Sequence, residues 1–173
     1  VANCHKLPAQ MFSREMMSVD EIVALLGETI QKYLHDKHVV LTVSPVRHVA
    51  DGLDGNSLSK AMLRVAAARL AEQFERVEYF PSFEIMNDDL RDYRFYAEDM
   101  VHPSQVAVEY IWQRFVETYM TEDTRGEMRT LHQLWQDCHH RFLHPDSEEA
   151  ERFRLHVEKQ MVALKERYPW IIG

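Results

Sequence analysis

The sequence predicts an α/β fold: part of a doubly wound, three-layer parallel sheet, followed by a helical C-terminal extension. Three observations support this class. Helix and strand patterns alternate in the order helix, strand, helix, strand, helix, which is the order of βαβ units. Residues 38–43 form an apolar, β-branched run without alternation, which is typical of a parallel strand. Two further helical patterns close the chain.

The first half of the chain contains both predicted strands. Residues 18–21 form a capping box, so a helix is expected to begin there. The first strand is predicted over His38–Val43 and is expected to be buried on both faces. An Ala-rich helix is predicted over 58–74. The second strand is predicted over Val77–Met86, and because Pro81 interrupts it, we expect it at a sheet edge or with a bulge.

The second half begins with a long predicted loop, residues 87–103, whose charged and aromatic composition favours a functional loop over disorder. Three helices are predicted after it, over 104–120, 124–142 and 147–167. Thr124 and Asp146 are expected to cap the last two. The sequence therefore divides into an α/β domain, residues 1–120, and a helical extension packed on it, residues 121–173.

Composition and charge argue against several classes of protein. The 173 residues carry a formal net charge of -8, which does not favour nucleic acid or an anionic membrane as a partner. Two cysteines do not make a disulfide framework, which favours a reducing compartment and a cytoplasmic location. No apolar run approaches the roughly 20 residues of a membrane-spanning helix. Because the chain begins at Val1 without an initiator Met, a fragment is expected.

The most informative motif lies in the predicted loop, where Asp99 and His102 are three positions apart. At this spacing the carboxylate can bind one imidazole nitrogen while the other nitrogen faces a cleft. In hydrolases that use a nucleophile, a His and an Asp, the carboxylate fixes the tautomer of the base and stabilises the imidazolium. The alternative is a salt bridge that only holds the loop together.

Further candidates follow the first predicted strand. Ser44, Arg47 and His48 lie just past its carboxyl end, and residues 87–102 lie past the second strand. Ligands of doubly wound sheets bind at this edge, so these residues are candidate substrate-binding groups. Arg47 would bind a carboxylate or a sugar oxygen. Ser44 is also a candidate nucleophile, although no glycine flanks it as in a nucleophile elbow.

The polar stretch after these residues offers alternative roles for them. Asp51 or Asp54 could anchor Arg47 and His48, which would make both of them structural. Asn56 is a further candidate for the substrate-binding set, as a donor to an oxyanion. Its alternative role is to cap the helix that follows, because Asn is a preferred residue at that position.

The 10 histidines make a metal site a rival hypothesis. His132, Gln136 and His140 have the i, i+4 and i+8 spacing of one helix face, and Cys4 lies beside His5. Neither group completes a ligand set with zinc-like spacing. We therefore predict no metal and no cofactor, and a metal-dependent hydrolase is kept as a third alternative.

Four stretches resemble the GSCFA domain family, which is named for a Gly-Ser-Cys-Phe-Ala pentapeptide near its start and is similar to the SGNH hydrolases. The four stretches are residues 41–48, 56–60, 79–86 and 89–104. The last of them contains the Asp-x-x-His motif. The helical tail between Cys138 and Pro169 also resembles the C-terminal region of that family, so the resemblance covers nearly the whole chain.

The resemblance implies an SGNH-like fold and a Ser-His-Asp mechanism, with His102 as general base and Asp99 as its orienting group. The nucleophilic serine of that scheme belongs to the first motif of the domain, and no Gly-Ser-Cys-Phe-Ala occurs in this sequence. The chain is therefore expected to be the C-terminal part of the domain and to be inactive alone. The implied activity is hydrolysis of, or acyl transfer from, a small-molecule or carbohydrate ester such as an O-acetyl group.

The alternative function is a non-catalytic binding or scaffolding module that keeps the fold. A Gly-Ser-Cys-Phe-Ala stretch upstream, at the end of a strand, would support the enzyme, and its absence from the full gene product would support the module. A truncated sheet would leave unpaired strand edges and exposed apolar faces. Self-association into a homo-oligomer is therefore expected.

Overall fold

A computed structural model of the chain describes residues 7–13 and 15–170. The fold is α/β, and its sheet is a parallel pair of strands. The strands are β1, Val39–Leu41, and β2, Val77–Tyr79. The long helices are α1, Val19–Tyr33, α2, Gly52–Gln73, α3, Gln105–Tyr119, α4, Glu122–Cys138, and α5, Glu148–Arg167.

Helix α1 begins where the sequence predicts. The Ser18 hydroxyl accepts the backbone N–H of Glu21 at 3.3 Å, and the Glu21 carboxylate accepts the backbone N–H of Ser18 at 2.7 Å. Both bonds of the capping box are therefore present, which confirms the predicted start of the helix. The buried core that this helix joins consists of Val23, Ile30, Ala66, Leu70 and Val77. This core connects α1, α2 and β2.

Strand β1 pairs in register with β2, with Val39 opposite Val77 and Leu41 opposite Tyr79. The prediction that it is buried on both faces is wrong, because Val40 is 37% exposed. Side chains alternate between the two faces of a strand. Val39 and Leu41 pack against the core, whereas Val40 points to the other face.

Strand β2 ends at Tyr79, so the prediction of a strand that continues to Met86 is wrong. Pro81 has no N–H to donate to a ladder, and the chain turns there into a short helix, Ser82–Glu84. This helix continues directly as a π-helix, Ile85–Leu90. The apolar residues after Pro81 therefore belong to a helical segment, and the predicted long loop begins only after it.

Helix α2 begins at Gly52, earlier than the predicted start at residue 58. The chain enters it through a 3-10 turn, Val49–Asp51. Gly52 has a φ of 69°, a conformation that glycine adopts without steric cost, and it joins the turn to the helix. The polar stretch between Asp51 and Asn56, which precedes the predicted helix, is therefore largely helical, and Asn56 lies inside α2.

The chain divides into two compact units, Val1–Arg114 and Phe115–Gly173. The predicted division into domains 1–120 and 121–173, with the second packed on the first, stays a prediction. Across residues 7–13 and 15–170, no helix has the length and apolar character needed to cross a membrane.

In the second unit, α4 and α5 pack against each other. Their N-terminal caps are Thr121 and Ser147, whose hydroxyls each accept a backbone N–H from the first turn. The predicted caps, Thr124 and Asp146, are wrong. The starts of these two helices differ from the predicted ones by two residues and by one, because Thr121 and Ser147 take the capping positions.

Candidate active site

The second part of the predicted loop is closed into a tight turn by its own backbone. Tyr96 and Pro103 form an antiparallel bridge. Inside it, the N–H of Ala97 donates to the carbonyl oxygen of His102 at 2.8 Å. We refer to residues 96–103 as the His102 turn. It carries both Asp99 and His102, so the two side chains lie on one hydrogen-bonded unit.

The Asp99 carboxylate makes three hydrogen bonds within the His102 turn. Its Oδ2 lies 2.6 Å from Nδ1 of His102. Its Oδ1 accepts the backbone N–H of Val101 at 2.9 Å and that of His102 at 3.0 Å. The side-chain contact that the spacing suggested is therefore present. The two backbone bonds fix the carboxylate relative to the imidazole.

These hydrogen bonds lower the pKa of Asp99 from 3.8 to about 2, with the largest effect from the backbone N–H of His102. At neutral pH the carboxylate is ionised and only accepts hydrogen bonds, so the shared proton is assigned to Nδ1 of His102. This tautomer leaves a lone pair on Nε2. The His102 side chain is 62% exposed, and within the described stretches no residue hydrogen-bonds to Nε2. The imidazole is therefore arranged to act as a base.

Arg47 connects the segment after β1 to the His102 turn. Its backbone N–H donates to the carbonyl oxygen of Val101 at 3.2 Å, and its Nη1 donates to that of Met100 at 3.1 Å. Its guanidinium carbon lies 4.0 Å from the ring centroid of Tyr96 and 5.6 Å from that of Tyr93. The structure thus brings Arg47 beside the Asp99-bearing turn, while its predicted binding of substrate stays a prediction.

The other candidates make mostly local contacts. The N–H of Val46 donates to Oγ of Ser44 at 3.2 Å. His48 Nδ1 lies 2.8 Å from Oδ2 of Asp51. Asp51 therefore anchors His48, which was one of the two anchoring residues considered from the sequence. Oδ1 of Asn56 accepts the N–H of His48 at 2.8 Å from inside α2, and the expected helix-cap role of Asn56 is therefore wrong. Substrate binding by Ser44, His48 and Asn56 stays a prediction.

A sequence model of the GSCFA family matches residues 1–115. The chain belongs to the GSCFA family. The match confirms the resemblance inferred from the motifs. The matched residues include the His102 turn and the segment between β1 and α2. Comparisons with curated proteins and with solved structures gave no significant match. The tail between Cys138 and Pro169 lies outside the matched residues, so its likeness to the family stays a prediction.

The sequence did not single out two residues of this GSCFA chain that contact the candidate site. Lys60 is only 8% exposed, its Nζ donates to the carbonyl oxygen of Ser44 at 2.5 Å, and burial lowers its pKa. Lys60 lies seven positions before Ala67, on the same face of an Ala-rich helix, and this spacing could have indicated that Lys60 is buried. Tyr96, whose ring lies beside the Arg47 guanidinium, is the second residue. Its position as an aromatic residue close to the Asp-x-x-His motif could have singled it out.

The described part of the GSCFA chain offers no set of ligands for the metal site considered as an alternative. Within residues 7–13 and 15–170, no three His, Cys, Asp or Glu side chains are grouped so that they could hold a metal ion. His132 instead hydrogen-bonds through Nε2 to the amide nitrogen of Gln136 at 3.0 Å. Cys4 and His5 lie outside the described residues.

An apolar groove of about 250 Å³ lies beside α1 and α2. Its walls include Met16, Met17, Leu25, Leu26, Met62 and Leu63. None of these residues belongs to the His102 turn, and Leu25 is 55% exposed. The groove is therefore an exposed apolar surface that is separate from the candidate catalytic pair.

Proposed function

We propose that this GSCFA chain supplies the Asp-His half of the active site of an SGNH-like ester hydrolase, or of a related acyl transferase. The observation that carries the proposal is the 2.6 Å contact between Asp99 Oδ2 and His102 Nδ1, with an exposed imidazole whose Nε2 is left as the base. The substrate class is a small-molecule or carbohydrate ester such as an O-acetyl group, which follows from the family resemblance.

In the proposed mechanism a serine hydroxyl attacks the ester carbonyl carbon while Nε2 of His102 takes the hydroxyl proton. The tetrahedral intermediate then breaks its bond to the alcohol, and His102 returns the proton to the departing oxygen. Water, or an acceptor hydroxyl in a transferase, then attacks the acyl carbon while Nε2 of His102 takes its proton. The bond between the acyl carbon and the serine oxygen breaks, and His102 returns the proton to the serine. Asp99 remains ionised throughout, because its pKa lies near 2, and it stabilises the transient imidazolium.

The nucleophile in this proposal is the serine of the family's Gly-Ser-Cys-Phe-Ala motif, which the 173-residue sequence does not contain. The proposal includes the three-layer SGNH-like fold. Two observations support that finer fold: the strands are parallel, and the segments after both strands meet through the bonds of Arg47 to the His102 turn. A cytoplasmic location is also proposed, on the low cysteine content.

The test is the hydrolysis of 4-nitrophenyl acetate by the full gene product that carries this sequence, compared with its His102→Ala variant. We expect His102→Ala to lower kcat by about 10³-fold or more, as loss of the base does in Ser-His-Asp enzymes. His38→Ala is the matched control, since His38 is an exposed histidine before β1. Its kcat is expected to match that of the unmodified protein.

Two outcomes would overturn the proposal. Activity that survives His102→Ala would show that another group acts as the base. A full gene product that lacks a Gly-Ser-Cys-Phe-Ala motif and hydrolyses no acetyl ester in a panel of aryl and sugar acetates would leave the non-catalytic binding module as the better function. Inactivity of the 173-residue chain beside an active full gene product is the result that the proposal expects.

A further inference from the structure

The His102 turn contains a backbone conformation that is uncommon for a residue with a side chain. Met100 has a φ of 58°, in the left-handed region that side chains with a Cβ rarely adopt. Met100 lies between Asp99 and the two N–H groups, of Val101 and His102, that Asp99 Oδ1 accepts. Strained residues of this kind persist where neighbouring contacts hold them.

Arg47 adds contacts to this turn from the segment after β1. Its Nη1 and its backbone N–H bind the carbonyl oxygens of Met100 and Val101, which are the two residues directly before His102. The guanidinium carbon also lies 4.0 Å from the centre of the Tyr96 ring, at the base of the same turn. A guanidinium has several donors fixed in one plane, so it can lie over an aromatic ring and donate to a carbonyl in a more defined geometry than a flexible ammonium group.

The segment that carries Arg47 is itself tied to helix α2 on both sides. Nζ of Lys60 binds the carbonyl oxygen of Ser44, and Oδ1 of Asn56 binds the N–H of His48. Asn56 and Lys60 lie one helical turn apart. Arg47 is therefore held between two hydrogen bonds from a helix whose later residues form the buried core.

We propose that Arg47 is a positioning residue for His102. By binding the carbonyl groups of Met100 and Val101, Arg47 holds the turn in which Asp99 reaches the imidazole. The proposal rests on the proposed function only in treating His102 as the general base. It gives Arg47 a different role from the substrate binding expected from the sequence, because the guanidinium acts on the turn.

The first measurement is a carboxyl ¹³C NMR titration of Asp99 in the full gene product. The pKa of Asp99 is lowered chiefly by hydrogen bonds from His102 and Val101, so the midpoint reports the geometry of the turn. In Arg47→Ala we expect the midpoint to rise from about 2 toward 3.8, because those hydrogen bonds loosen. Arg47→Lys keeps a cationic donor but loses the planar guanidinium, and an intermediate midpoint is expected.

Arg94→Ala is the matched control, because Arg94 is a 75% exposed arginine close to the same turn that also lies over an aromatic ring. Its midpoint is expected to stay near 2. An unchanged midpoint in Arg47→Lys, with the amide spectrum of a folded protein, would overturn the proposal. This variant keeps the test decisive even if Arg47→Ala fails to fold.

The second measurement separates positioning from substrate binding. On an activated acetyl ester, we expect Arg47→Ala to lower kcat by about 10²-fold with little change in KM, the size of effect that a displaced catalytic group produces. A raised KM with an unchanged kcat would show that Arg47 binds substrate and would overturn the proposal. If no form of the protein hydrolyses esters but the Asp99 midpoint still shifts, the proposed function fails and the positioning of the pair stands.

Discussion

Replacement of Asp99 by Asn tests how the candidate pair works without removing the turn. An Asn Oδ1 can still accept the N–H groups of Val101 and His102, which lie 2.9 and 3.0 Å from the present oxygen. Its Nδ2 group is a donor, however, and it would face Nδ1 of His102 across the 2.6 Å contact. Because two donors cannot share a hydrogen bond, we expect the imidazole to move its proton to Nε2.

The expected loss of activity follows from this tautomer. With the proton on Nε2, the imidazole presents no lone pair to the serine hydroxyl, and only a minor tautomer can act as base. The equivalent change in Ser-His-Asp enzymes lowers kcat by about 10⁴-fold. We expect a loss of that order for Asp99→Asn in the full gene product, with KM nearly unchanged because the substrate contacts remain.

Two assays check this prediction together. ¹⁵N NMR of the His102 ring distinguishes protonation at Nδ1 from protonation at Nε2, and initial rates on 4-nitrophenyl acetate give kcat. Asp88→Asn, a change at an exposed carboxylate earlier in the same region, is the control and is expected to alter neither. If Asp99→Asn retained the Nδ1 proton and kept its rate within about threefold, the argument from hydrogen-bond donors would be refuted.

Three further predictions concern stability and association. Because the pKa of Asp99 is lowered from 3.8 to about 2 in the folded state, its ionisation stabilises the fold fully above pH 3.8, and this stabilisation is lost as pH falls through about 2. Asp99→Asn is expected to lack this pH-dependent part of the stability in acid unfolding followed by circular dichroism. Leu70, which is 0% exposed, packs in the main core, so Leu70→Ala is expected to cost about 2–5 kcal/mol in urea unfolding, and a cost below about 1 kcal/mol would contradict this packing. The short two-stranded sheet and the exposed apolar groove predict self-association, seen by light scattering at roughly tens of micromolar and weakened by Leu25→Glu. A strictly monomeric chain would count against it.

Local signals predicted the parts of the fold that depend on neighbouring residues. The capping box of Ser18 and Glu21 located the start of α1, because both partners lie within one helical turn. The apolar run at 38–43 and the stretch that begins at Val77 located both strands, and the alternation of helix and strand patterns predicted their parallel pairing. The lengths of the strands were less predictable, since the apolar residues after Pro81 suit a strand and a buried helix equally well.

The candidate site was predictable only in part. The Asp99–His102 contact depends on a spacing of three residues, and the spacing alone suggested it. The alternative role of Asn56 as a helix cap is wrong, because the entry through Val49–Asp51 places it inside α2 although Asn is favoured at caps. A local preference of this kind is overridden when the preceding turn fixes where the helix begins.

The sequence by itself determined the local features of this protein: the capped helix, the strand pattern, the Asp-x-x-His pair and the motifs of the GSCFA family. Each of these is set by residues close together along the chain. Only the tertiary structure decided that Arg47 binds the carbonyl of Met100 and that Lys60 is buried against Ser44, contacts that span 53 and 16 positions. Such contacts form because packing of the core brings distant segments together, and no local pattern encodes which carbonyl a long side chain will reach.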